Sequence, residues 1–135
     1  MQERIGISLD SDLLTGFDAL IKQQGYTNRS EAVRDLIREK LAKEKLANPK
    51  TQAVAAVFVV YDHHHPQVSQ KLMALQHSDF LKIISSIHVH IGHHDCLEVI
   101  LIRGKVSEIS KLGENIVSLK GVKLGRVNLI SPHQH

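Results

Sequence analysis

The chain of 135 residues has no tryptophan, two tyrosines, three phenylalanines and a single cysteine. One thiol cannot close an internal disulfide, so the staples of small secreted domains are excluded and a cytoplasmic protein is expected. With so few aromatics, any core must be built mainly from aliphatic side chains. No apolar run approaches the ~20 residues of a membrane span, and the start Met1-Gln2-Glu3-Arg4 lacks the pattern of a signal peptide. No membrane partner is expected. Strong charge is missing too: the formal net charge is +3. Residues 1–50 carry nine Lys/Arg against eight Asp/Glu, and residues 51–135 eight against six. Such mild basicity allows an anionic partner without identifying one. The last absence is local. No histidine precedes residue 63, yet ten follow.

Those histidines lead to the most informative stretch, His88-Val89-His90, with Cys96 six residues on and His77 eleven upstream. Imidazole plus thiolate is a donor set for Ni(II), Cu(II) or Zn(II), not for magnesium or calcium. On a strand, residues two apart share a face at roughly 6.5–7 Å, so both rings can approach one ion. A short hairpin at Gly92-His93-His94-Asp95 would return Cys96 to the same edge. The plain alternative is a pair of surface histidines beside a structural cysteine. His77, near a helix end, could come from the same chain or a neighbour. His63, His64 and His65, with His93 and His94, fall in loops as candidates for a weaker auxiliary metal site, although solvated loop histidines would look the same. His133 and His135 lie at the terminus.

Two rhythms divide the chain. Arg4 to Leu9 alternates as a strand, with Ile5, Ile7 and Leu9 on one face and Arg4, Gly6 and Ser8 on the other. Asp10 or Ser11 can cap a helix carrying Leu13, Leu14, Phe17, Leu20 and Ile21, which Gly25 ends. Asn28, with Glu31 three residues on, starts a second helix striped by Val33, Leu36, Ile37 and Leu41. A lone strand cannot satisfy its own backbone, and so small a unit buries little surface. Both problems vanish if two chains pair their strands, so an obligate dimer is expected here. Lys43 to Gln52 is polar and contains Pro49, reading as a linker.

Beyond it, Ala53–Tyr61 reads as a buried strand, Pro66 starts a helix, Ile83–Ile91 and Cys96–Ile102 are strands, Ile109–Leu119 is a helix, and Val122–Ile130 is a strand. The order βαββαβ is ferredoxin-like. The fold class is therefore α+β, with a ribbon-helix-helix domain over 1–46, a linker at 47–52 and a ferredoxin-like domain over 53–135. The face Arg4, Gly6, Ser8 fits the major groove as part of a two-stranded ribbon. Asn28-Arg29-Ser30, at a helix N-terminus, suits phosphate. Simple capping would coexist with that role.

Tyr26-Thr27-Asn28-Arg29-Ser30-Glu31-Ala32-Val33-Arg34-Asp35, together with His88-Val89-His90 through Asp95-Cys96-Leu97-Glu98, resembles the nickel-responsive transcriptional regulators of the ribbon-helix-helix class. The resemblance covers nearly the whole length. It implies a repressor that binds a palindromic double-stranded DNA operator when nickel-loaded, assembled as a homotetramer, a dimer of dimers. It implies one Ni(II) per subunit in square-planar geometry, held by His88, His90 and Cys96 of one subunit and His77 of the facing one. It also implies a second cation, at positions matching Glu31 and Asp35. One departure is Gly6, where the family often has threonine, so base contacts do not carry over. The residues before His88, especially Ser78, Asp79 and Phe80, are expected to order on metal binding.

Two other readings compete. The first is a ribbon-helix-helix regulator that answers to copper, zinc or a non-metal partner. The second is a small metallo-hydrolase, which would need an open coordination position and a nearby acid or base. Only Asp95 and Glu98 are near, and either could simply orient an imidazole. No enzymatic activity is expected.

Overall fold

In the computed structural model, residues 1–131 are described; the two terminal histidines lie outside them. The chain forms two compact units, Met1–Lys40 and the remainder from Leu41.

The first unit holds α1 (Ser11–Gln23) and the larger part of α2 (Arg29–Leu46). Gly25 adopts φ +85°, the left-handed conformation glycine accepts without a Cβ penalty, and the Tyr26 N–H returns to the Ile21 carbonyl at 3.0 Å. Asn28 caps α2, its Oδ1 accepting from the Glu31 N–H at 2.8 Å. The reciprocal half of the expected box is replaced, because the Glu31 carboxylate accepts from the Thr27 hydroxyl at 3.3 Å. Arg4–Leu9 is not a strand within one chain. A ladder needs a second backbone, and the described residues supply none there. Ile5, Ile7, Leu13 and Leu36 are all at least half exposed, whereas Ile21 and Ala32 are the unit's buried apolar residues among those described.

The polar stretch from Lys43 begins as helix, not linker. α2 runs on to Leu46, whose side chain packs against the core of the second unit. The chain then turns through 47–51. There the Thr51 hydroxyl donates to the Lys45 carbonyl (2.8 Å), and the Thr51 carbonyl accepts from the Val106 N–H (2.9 Å).

The second unit follows the βαββαβ order: β1 (Gln52–Asp62), α3 (Pro66–Ser78), β2 (Ile83–His90), β3 (Asp95–Lys105), α4 (Val106–Val117), β4 (Val122–Ile130). The sheet order is β2-β3-β1-β4, antiparallel throughout, so β2 and β4 are its edges. Alternation decides which side is covered. Ala53, Ala55, Val57, Val59 and Tyr61 of β1 are buried with Cys96, Ile100 and Ile102 of β3. Against them lie Val68 and Leu72 of α3 and Ile109, Leu112 and Ile116 of α4. Burying each such side chain contributes about 1.5–3 kcal/mol. The opposite face has no helix among the described residues and carries Ile87, Val89, Leu124 and Ile130 in exposed positions.

Candidate metal centre

The register places the donors. His90 lies opposite Cys96, and His88 opposite Glu98. On the other side of β3, Tyr61 lies opposite Cys96 and Val59 opposite Glu98. Since alternation puts Cys96 and Glu98 on the helix-covered face, His88 and His90 emerge on that face too. They stand on the edge strand and are exposed, whereas Cys96 is buried. Together they line a cleft of about 530 Å³ between β2 and α3. His77, from the last turn of α3, lines the same cleft beside Met73 and Phe80.

The four donors share a cleft but do not close around one point. Among the described residues, no trio drawn from His77, His88, His90 and Cys96 has donor atoms mutually within 4.8 Å. Each has another neighbour. His88 Nε2 is 3.5 Å from Glu98 Oε1. His90 meets the edge of His63, ring centroids 4.7 Å apart at 84°. The Cys96 thiol points to the Leu97 carbonyl at 3.8 Å.

Beneath them sits Glu98, 1% exposed. Its Oε1 accepts from the Tyr61 hydroxyl at 2.9 Å, and its Oε2 from the Gln76 amide at 2.8 Å. Burial, and then the hydrogen bond to Glu98, push the Tyr61 phenol well above its ordinary range, so Tyr61 remains a donor. Glu98 thus joins β1, α3 and the His88 imidazole. The sequence marked Glu98 only as a possible partner for imidazole and missed Tyr61 and Gln76. The signal was available for Tyr61, whose odd-numbered face in β1 points with the core.

The loop histidines separate. His63 Nδ1 contacts the His94 carbonyl at 2.8 Å, His64 faces Asp62 and His94, and His65 stands at the N-cap of α3 without a capping side-chain bond. Asp62 is held below the usual carboxylate range, first by the His64 backbone N–H.

In the first unit, Arg4, Gly6 and Ser8 are exposed, with open space around Gly6. The Arg29 guanidinium is not free at the helix start. It donates to both oxygens of Asp18, Nε at 2.9 Å and Nη2 at 2.8 Å. Ser30 is exposed beside it. Glu31 and Asp35 stand one turn apart on α2. Asp35 accepts from the Tyr26 hydroxyl at 2.6 Å and from Arg38 at 3.3 Å.

The donor set fits a soft or borderline divalent ion: two edge-strand imidazoles, one buried thiol and a hydrogen-bonded carboxyl beneath. A ferredoxin-like domain with such a cleft, following a helix pair that leaves an apolar arm exposed, defines a two-module metal-binding protein. Residues 54–130 match the family described as NikR C terminal nickel binding domain, and residues 3–44 match Ribbon-helix-helix protein, copG family. A Solibacter usitatus protein named "Putative nickel-responsive regulator" is 48% identical over 93% of this chain and 91% of its own length. Proteins of the same name from Geobacter metallireducens (48%, 92% and 89%) and Trichlorobacter lovleyi (44%, 98% and 96%) are similar throughout. The chain belongs to the NikR family of ribbon-helix-helix regulators.

Proposed function

We propose that this protein is a nickel-responsive transcriptional repressor and not an enzyme, working in the cytoplasm on a palindromic operator. Residues 1–46 act as the DNA-binding module and residues 53–135 as the metal module, with 47–52 between them. The observation that carries this reading is the register pairing His90 with Cys96 and His88 with Glu98 on one face of an edge strand. His88, His90 and Cys96 would hold one Ni(II) per subunit, with His77 of a facing copy completing the set. The edge position supports sharing, because among the described residues β2 has no strand on its outer side. Nickel, when bound, favours the thiolate form of Cys96 and ties it to the imidazoles.

The chain's own residues do the rest. Glu98, fixed by Tyr61 and Gln76, orients His88. The exposed apolar arm Ile5, Ile7, Leu9 suits strand pairing between two copies, which would set Arg4, Gly6 and Ser8 toward base edges and Asn28, Arg29 and Ser30 toward phosphates. Asp18 holds Arg29 in place for that contact. The uncovered sheet face with Ile87, Val89 and Leu124 favours the second association, giving a dimer of dimers. Glu31 and Asp35, one turn apart, would take a second cation.

A site completed by two copies is bound only in assemblies that bring them together, so metal biases the arrangement of subunits. Duplexes enriched from a randomised pool by the nickel-loaded protein provide the assay. Operator affinity should rise about 5–150-fold on adding stoichiometric nickel. Cys96→Ala should abolish that rise together with the thiolate-to-nickel absorbance. Equal affinities with and without nickel refute the sensor role.

A further inference from the structure

His77 sits at the end of α3 that apolar packing holds least. α3 buries Val68 and Leu72, both in its first half, with Leu75 packed beside them. α4, by contrast, is buried at intervals along nearly its whole length, from Val106 to Ile116. Beyond α3 the chain turns into β2 through Asp79-Phe80-Leu81-Lys82. Phe80 and Leu81 are 66% and 81% exposed, so neither anchors that turn. Polar contacts are left to hold this end of the helix. Gln76 supplies one, donating to Glu98 at 2.8 Å.

Lys82 supplies the others. Its N–H donates to the Asp79 carbonyl at 2.8 Å, and its carbonyl accepts from the Arg103 N–H of β3 at 2.8 Å. Its ammonium lies 3.5 Å from Asp79 Oδ1 and 3.3 Å from Glu108 Oε2. Glu108 stands in the first turn of α4, where the helix dipole favours a carboxylate. Asp79 Oδ2 accepts from the Ser78 hydroxyl at 3.3 Å, and the Asp79 N–H donates to the Leu75 carbonyl at 3.2 Å. A continuous path therefore runs from α4 and β3 through Lys82 and Asp79 to Ser78, the neighbour of His77. The Lys82 and Asp79 side chains are each 31% exposed, against 59% and 43% for Arg29 and Asp18, so solvent screens this clasp less.

We propose that Lys82 is a positioning residue for His77: bridging Asp79 to Glu108, it ties the loosely packed end of α3 to α4 and so fixes where the imidazole is presented. This role rests on His77 being a nickel ligand. A donor already held in place loses less conformational freedom on binding than one at an untethered helix end. Lys82 does not itself line the cleft, so its effect on the metal passes through His77.

Nickel affinity of the full-length protein, measured by competition with a chelator, tests this. Lys82→Met keeps the aliphatic stem without the charge and should weaken nickel about 2–5-fold, the scale of partly exposed ion pairs. Lys82→Arg, which can reach both carboxylates, should keep the parental affinity. Lys82→Glu should weaken nickel more than Lys82→Met, through repulsion by Asp79 and Glu108, and adding Glu108→Lys should recover most of the loss. In a His77→Ala background the Lys82→Met penalty should vanish, because the lysine acts through that imidazole. A readout on the metal-free protein is amide hydrogen exchange, which should quicken about 2–5-fold at Asp79 and Lys82 in Lys82→Met. Unchanged nickel affinity in Lys82→Met, or an equal penalty with and without His77, overturns the proposal while leaving the nickel reading intact. A parent protein without the thiolate-to-nickel absorbance would refute the nickel reading and the Lys82 role together.

Discussion

Replacing Glu98 by glutamine isolates the link between the buried polar network and the metal cleft. The carboxyl is 1% exposed and serves three partners: the Tyr61 hydroxyl at 2.9 Å, the Gln76 amide at 2.8 Å and His88 Nε2 at 3.5 Å. Glutamine has nearly the same shape. Its carbonyl can keep one donor, and the Tyr61 hydroxyl can rotate to accept from the new amide. The fold should therefore lose only about 1 kcal/mol. His88, however, loses a carboxyl that can hold its ring by charge and hydrogen bonding. Partners of this kind are worth about 10–100-fold in metal affinity, or roughly 1.4–2.7 kcal/mol. Glu98→Ala differs in kind. It leaves Tyr61 and Gln76 without a partner and opens a cavity, so stability should fall by about 2–5 kcal/mol. Nickel affinity would be measured by competition with a chelator, and stability by urea denaturation of the metal-free protein. If Glu98→Gln binds nickel within about threefold of the parent, Glu98 does not orient His88. Metal loss that tracks stability loss across both variants would likewise reduce its role to packing.

Other outcomes follow from the same geometry. Asn28→Ala removes the acceptor for the Glu31 N–H and should cost the first unit about 1 kcal/mol in chemical denaturation. Gly121→Ala should destabilise the second unit by about 2–4 kcal/mol, because φ is +101° and a Cβ would collide with Val68. A shift in urea midpoint reads this directly, and an unchanged midpoint contradicts the packing described. Arg29 holds the Asp18 carboxyl below its ordinary value of 3.8, chiefly through their hydrogen bonds. The resulting stabilisation is present above that value and is lost as pH falls through the lowered one. Asp18→Asn should therefore flatten the acid limb of the first unit's stability profile, as followed by circular dichroism.

Much of this molecule was legible in one dimension. Period-2 runs and helical stripes located nearly every element, because burial on one face forces apolar residues into the period of the backbone. Gly25 and Asn28 marked helix boundaries through conformational freedom and capping, both local effects. The spacing His88-Val89-His90 placed two imidazoles on one face for the same reason. Misreadings arose where a distant surface decided. Lys43–Leu46 looks polar enough for a linker, yet stays helical because Leu46 finds an apolar core to cover. Arg4–Leu9 is no misreading of this kind: its alternation reads as a strand that pairs with a second copy, and one backbone alone forms no ladder.

The sequence by itself determined which residues could serve as metal donors, the period of each element and the division into two modules, since these depend on neighbours within a few positions. Only the tertiary structure decided that β3 lies between β1 and β2. That placement sets Cys96 between Tyr61 and His90 and carries Glu98 beneath His88. It also decided that His64, not His63 or His65, faces His94 across thirty residues of chain. Such pairings depend on sheet order and register, and these are fixed by which apolar faces can be buried together.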